Sequence, residues 1–206
     1  DGLWHKSDFT IKLTATNGAS GVSATYYKIN DGATKSVSVN GQPQITTESA
    51  TNKLEYWSVD VAGNVESHHT LSNTKLDKTA PVTTKGLSGT AGLNGWYVSS
   101  VDVALSATDS GGSGVKEIHY KLDGVETTVS GGATSFTISA EGSHSVEHWA
   151  VDNAGNEETH ATQTVKVDKT APVVTITAPA SGAYYKTSTV PAGAYTVTEA
   201  NPYTAV

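Results

Sequence analysis

The chain has 206 residues, 36% hydrophobic and 16% charged, a composition within the globular range and long enough for more than one domain. It contains no Cys, which excludes disulfides, thiolate metal sites and cysteine nucleophiles, and no run approaches the roughly 18 consecutive apolar residues of a membrane span. The net charge of −7 and the absence of Arg count against nucleic acid as a partner, since a polyanion is repelled and the guanidinium forks that read bases and hold phosphates are missing.

From the N-terminus onward the chain reads as short strands. Phe9, Ile11, Leu13 and Ala15 alternate with Thr10, Lys12 and Thr14, the period-two pattern of a half-buried strand. Tyr27-Lys28-Ile29 and Leu54-Glu55-Tyr56-Trp57-Ser58-Val59-Asp60 follow, then the loop Asp60-Val61-Ala62-Gly63-Asn64, then the linker Asp77-Lys78-Thr79-Ala80-Pro81. The same series then begins again. Trp96 lies 92 residues after Trp4, and Val101, Val103, Leu105 and Ala107 repeat the alternation. Tyr120-Lys121-Leu122, Val146-Glu147-His148-Trp149-Ala150-Val151-Asp152, Asp152-Asn153-Ala154-Gly155-Asn156 and Asp168-Lys169-Thr170-Ala171-Pro172 match their earlier counterparts at offsets of 91 to 93.

An internal repeat of this length determines the architecture. Each copy of about 90 residues holds roughly seven short strands separated by Gly, Asn-Gly and Asp-Gly turn residues, and no 3.6-residue periodicity stands out. The expected fold is all-β, a tandem of immunoglobulin-like (fibronectin III or cadherin-like) sandwiches. The expected divisions are 1–80, a repeat lacking its first strand, 81–171, a complete repeat, and 172–206, the opening of a third. Copy two has the segment 81–85 before its Trp, whereas copy one begins almost at its Trp. The chain therefore reads as a window of a longer array. Its spare first-strand sequence, Val173 to Pro179, could complete the head of another chain, a head-to-tail contact.

Asp109-Ser110-Gly111-Gly112-Ser113-Gly114-Val115, Ile118-His119-Tyr120-Lys121-Leu122-Asp123-Gly124, His148 to Asn156, and Val167 to Pro172 together resemble the bacterial and archaeal Ig-like repeats of large cell-surface proteins. The resemblance covers both copies and the opening of the third. It implies an extracellular stalk, sheath, filament or adhesin, or the accessory region of a secreted glycoside hydrolase. The fold alone carries no function.

Two sets of residues are candidates for a site. Asp77 in the linker, Asp109 after the second strand, and Asp152 with Asn156 after the sixth converge at the end where the chain enters the second sandwich. They form either a hydrogen-bonded hairpin or a cadherin-like Ca²⁺ site at the interdomain junction. Asn17 stands in copy one where copy two has Asp109. The second set is a surface aromatic patch, Trp149 with His119 and Lys121 in copy two, and Trp57 with Tyr26 and Lys28 in copy one. It is either a Trp covered by a Lys stem or a platform for a sugar ring or a neighbouring protomer.

No Gly-rich phosphate loop, Gly-x-Ser-x-Gly elbow or zincin spacing occurs, so no enzymatic activity is expected. The leading expectation is a structural segment of an extracellular array whose partners are neighbouring repeats or identical chains. A glycan- or matrix-binding module is the alternative, beside the hydrolase accessory region.

Overall fold

The computed structural model describes residues 2–178, 181–184, 186 and 192–199. Within them the chain is built from seventeen strands and a single helical turn. The first repeat contributes β1 (Trp4–His5), β2 (Phe9–Thr10), β3 (Val22–Ile29), β4 (Lys35–Ser36), α1 (Val37–Asn40), β5 (Gln44–Ile45), β6 (Ser49–Asp60) and β7 (His69–Leu76). The second contributes β8 (Val82–Ser88), β9 (Trp96–Tyr97), β10 (Val101–Thr108), β11 (Val115–Leu122), β12 (Val125–Ser130), β13 (Ala133–Ile138), β14 (Gly142–Asp152) and β15 (Ala161–Val167). Strands β16 (Val173–Ala178) and β17 (Ala194–Thr198) pair antiparallel as a two-stranded sheet. Pro179, at the end of the spare first-strand sequence, lies outside the described residues.

Sheet order identifies the sandwich. In the second repeat one sheet runs β13-β10-β8 and the other β12-β11-β14-β15-β9, with β9 parallel to β15. These are the two sheets of an immunoglobulin-like domain, in which the second strand lies between the first and fifth while the third and sixth are neighbours. The first repeat reproduces the larger sheet as β1-β7-β6-β3-β4, again with its short first strand parallel to the last. The chain is therefore all-β and immunoglobulin-like in tandem.

Local chemistry accounts for the turns. Asp123 and Gly124, with φ of 52° and 86°, close the β11–β12 hairpin between the paired residues Leu122 and Val125. Two positive φ values are what a two-residue turn of the type favoured by strand twist requires, and Asp-Gly supplies them with little strain.

The repeats differ at their second strand. In β10 burial alternates along the whole strand, and Val101, Val103 and Leu105 are all but inaccessible. In the first repeat only Phe9 and Thr10 form a ladder, with β5, and residues 11–16 have no strand pairing. Ile11, Leu13 and Ala15, which match Val103, Leu105 and Ala107, are only half-buried. The sequence pattern predicts a strand there. What is missing, among the described residues, is a counterpart of β8 to pair with it.

By proximity the chain falls into two compact units. One comprises Asp1–Lys85, Leu105–Thr134 and Glu147–Thr162, the other Gly86–Ala104, Ser135–Val146 and Gln163–Val206. The first unit holds the linker, the loops that meet it and both aromatic stacks. In the second, Lys166 Nζ lies 5.8 Å from the Trp96 ring centroid, and Lys169 donates to the Ser139 carbonyl at 2.7 Å. No helix among the described residues is long and apolar enough to cross a membrane.

A carboxylate cluster at the linker and two covered tryptophans

The loop after the sixth strand has the same construction in both repeats. In the second, the Asn156 main-chain N–H donates to Asp152 Oδ1 at 2.8 Å and its side-chain amide to Oδ2 at 2.7 Å. In the first, Asn64 makes both bonds to Asp60 at 2.8 Å. Gly63 and Gly155, at φ of 93° and 85°, let the chain turn back between the two side chains. The donors around Asp60 hold its carboxyl below the usual carboxylate range, led by the Asn64 side chain and then its backbone N–H.

The linker carboxylate reaches the second repeat's loops directly. Asp77 is fully buried; its Oδ1 accepts from the Thr79 N–H at 3.0 Å and its Oδ2 from the Ser113 N–H at 2.8 Å. Asn156 also donates its side-chain amide to the Asp77 carbonyl at 2.9 Å. Asp109 accepts from the Gly111 and Gly114 N–H groups at 2.9 and 2.7 Å. Asp77, Asp109 and Asp152 thus each place a carboxylate oxygen within 4.8 Å of the others, with Asp77 and Asp152 buried. Gly111 permits this approach, since a Cβ there would stand 1.8 Å from Asp77 Oδ1. In the first repeat, where Asn17 takes the place of Asp109, its side-chain amide donates to Asp60 at 3.1 Å.

Three like charges this close repel strongly at reduced dielectric, and N–H donors offset part of that repulsion. The oxygen set is also the chemistry a hard divalent cation takes, carboxylates supplemented by carbonyls. The cluster can therefore act as a hydrogen-bonded staple or as the carboxylate side of a cation site.

The aromatic candidates form stacks. Trp149 lies between His160 and His119, with ring centroids 3.8 and 5.0 Å away and planes within 10°. Lys121 Nζ stands 4.9 Å from its centroid. Trp57 is treated alike: His68 at 4.0 Å, Tyr26 at 5.7 Å and Lys28 Nζ at 5.6 Å. Only 5% of Trp149 and 9% of Trp57 is exposed, so neither ring offers an open face to a sugar. Glu147 ties the second stack together, bonding His160 Nδ1 at 2.6 Å and lying 3.5 Å from Lys121 Nζ. The Glu147 and Glu157 carboxylates push the His160 imidazole above its ordinary range, and His160 holds Glu147 below its own.

Residue-by-residue reading of the sequence leaves out several of these partners. His68 and His160, at the 92-residue offset, cover the two tryptophans. Glu48 and Glu141, 93 apart, hold the linkers: Glu48 accepts from the Lys78 N–H and the Thr79 hydroxyl, and Glu141 accepts likewise from Lys169 and Thr170. The repeat offset itself is the signal that could have found both pairs.

No protein-family model matches the chain, and no curated protein does. Among solved structures it is similar to the fibronectin(III)-like modules of Clostridium thermocellum CbhA, at 16% identity and a TM-score of 0.35, over 80% of this chain and 87% of that one. It is also similar to a Ca²⁺-stabilized adhesin that helps an Antarctic bacterium reach out and bind ice, at 22% identity and a TM-score of 0.34, over 85% of this chain and 48% of the adhesin chain. At TM-scores this low the immunoglobulin-like assignment rests on the chain's own sheet order.

Proposed function

We propose that the chain is a structural segment of an extracellular surface array, stalk or filament, in which tandem sandwiches serve as spacers and no catalytic step is performed. The observation that carries this reading is the repeated linker. Asp-Lys-Thr-Ala-Pro leaves each sandwich held by a Glu of that same sandwich, and in the first case its Asp is received by the next repeat's Ser113 and Asn156. A connection built into the folds on both sides suits a load-bearing spacer better than a flexible tether. Pro81 and Pro172 add stiffness by fixing φ.

The same reading assigns Ca²⁺ to the junction, with Asp77, Asp109 and Asp152 as carboxylate ligands and Asn156 as the residue that holds Asp152 and the Asp77 carbonyl in place. A cation there offsets the repulsion that three crowded carboxylates impose and locks the linker to the loops it meets.

Antibody labelling of intact source cells tests the location. Labelling without permeabilisation is the expected result; labelling only after permeabilisation would contradict it.

A further inference from the structure

We infer that β8, the strand through which the linker enters the second repeat, is an acid-released strap: proton uptake by the buried His148 of β14 detaches residues 82–85 while the rest of the sandwich stays folded. The strand is placed for release. It lies at the edge of the β13-β10-β8 sheet, none of its residues is buried, and Val82 is 61% exposed. An edge strand that buries so little belongs to the low-stability end of a fold.

Side chains fasten its first half. Thr83 donates its N–H and its hydroxyl to the two oxygens of Glu158, at 2.7 and 2.5 Å, and Thr84 donates its hydroxyl to the Ser106 carbonyl at 3.0 Å. Glu158 is itself positioned from β14, since its Oε2 also accepts from the Ala150 N–H at 3.0 Å. Ala150 and His148 are two residues apart and therefore share one face of β14, the buried one. The clamp that holds β8 is thus anchored one step along the strand from a buried histidine whose two ring nitrogens have no hydrogen-bond partner.

Two charged groups act on that imidazole, Glu158 and Lys85 of β8. In the same compact unit the inward positions Leu105 and Ala107 of β10 and Ile118 of β11 are apolar. Tyr120, two residues beyond Ile118, and Asp152, held by Asn156, are the other titratable side chains on this side, while Glu157 is engaged by His160. A neutral His148 leaves Glu158 to Thr83. An imidazolium competes with Thr83 for that carboxylate and repels Lys85, and both effects lift β8. Detachment also admits water to a charge that the closed sandwich does not solvate. The first repeat carries Tyr56 at the matching position, so the device is a feature of the second repeat. Because β8 starts directly after Pro81, acid slackens the point where the linker enters the fold.

Linkage sets the size of the effect. With the strand detached His148 titrates near pH 6.5, while burial holds the closed form's imidazole below that, so opening is favoured about tenfold more at pH 5.5 than at pH 7.5. Amide exchange of the whole chain, followed residue by residue by NMR at the two pH values and corrected for intrinsic rates, reads this directly. Protection of residues 82–85 should fall about tenfold at pH 5.5 while that of Ile118 and Tyr120 in β11 holds. His148→Tyr, which installs the first repeat's residue, should abolish the fall, and His148→Leu should do the same by a different side chain. Equal protection of residues 82–85 at both pH values, a loss shared equally by β11, or an undiminished fall in both variants would overturn the proposal.

Discussion

Asn17 donates its side-chain amide to the Asp60 carboxylate in the first repeat, and the two matching positions in the second repeat are both carboxylates, Asp109 and Asp152. One substitution between repeats thus turns an amide–carboxylate hydrogen bond into a like-charged pair, at the place where the buried Asp77 adds a third carboxylate. Asn17 sets no second charge beside Asp60, whereas Asp109 stands beside Asp152 as a like charge.

Ca²⁺ should therefore raise the melting temperature of the chain relative to excess chelator, because a ligand bound only by the folded state stabilises it by mass action, about 2.7 kcal/mol at one hundred times Kd. Asp109→Asn, which restores the first repeat's arrangement, should keep the fold and lose the response. Calorimetry with and without chelator checks both. Identical melting curves for the unsubstituted chain would remove the cation from the account.

Gly111→Ala should destabilise the chain by about 1–3 kcal/mol, because the added Cβ falls on a carboxylate that Thr79 and Ser113 hold in place. Adding Asp77→Ala should make the double variant less unstable than the two single costs combined predict. Urea midpoints measure this coupling, and strict additivity would mean the contact is relaxed by movement elsewhere.

His148 and His160 should give pH dependences of opposite sign. His148 is 3% exposed with neither ring nitrogen hydrogen-bonded, and burial first, then Lys85, holds its imidazole below the ordinary range against the pull of Glu158. The folded state keeps it neutral while the unfolded chain takes a proton near pH 6.5, so its stability is full above that value and is lost as pH falls below it. His148→Leu should remove this acid sensitivity and raise stability at neutral pH, since an unsatisfied buried polar group costs about 1–3 kcal/mol. His160 is raised, so its contribution is present below about pH 6.5 and lost as pH rises through its folded value. His160→Gln should cost more at pH 6 than at pH 8.5. Paired denaturation series at the two pH values separate the residues.

Much of this architecture is legible in the residues. The repeat, the linkers and the alternation of Val101 to Ala107 all follow from local pattern, because turn chemistry and period-two burial act within a few residues of chain. The gathering of Asp77, Asp109 and Asp152 is also readable, since the sandwich topology sends those three connections to one end. The covering of Trp149 by His160 is not, because it depends on how the approach to β15 lies across β14. Nor is the shortening of the second strand at Thr10: Ile11 to Ala15 carries a sound strand pattern, and ladder formation depends on a neighbour rather than on propensity.

The central claim is that the linker is part of a firm junction rather than a tether. Spin labels on Thr51→Cys in the first repeat and Thr127→Cys in the second, both exposed positions in a chain free of other cysteines, allow the distance between them to be measured by pulsed electron resonance. A single narrow distribution in Ca²⁺, broadened by Asn156→Ala or by chelator, is the predicted result. A broad distribution in Ca²⁺, unchanged by either, would contradict the account.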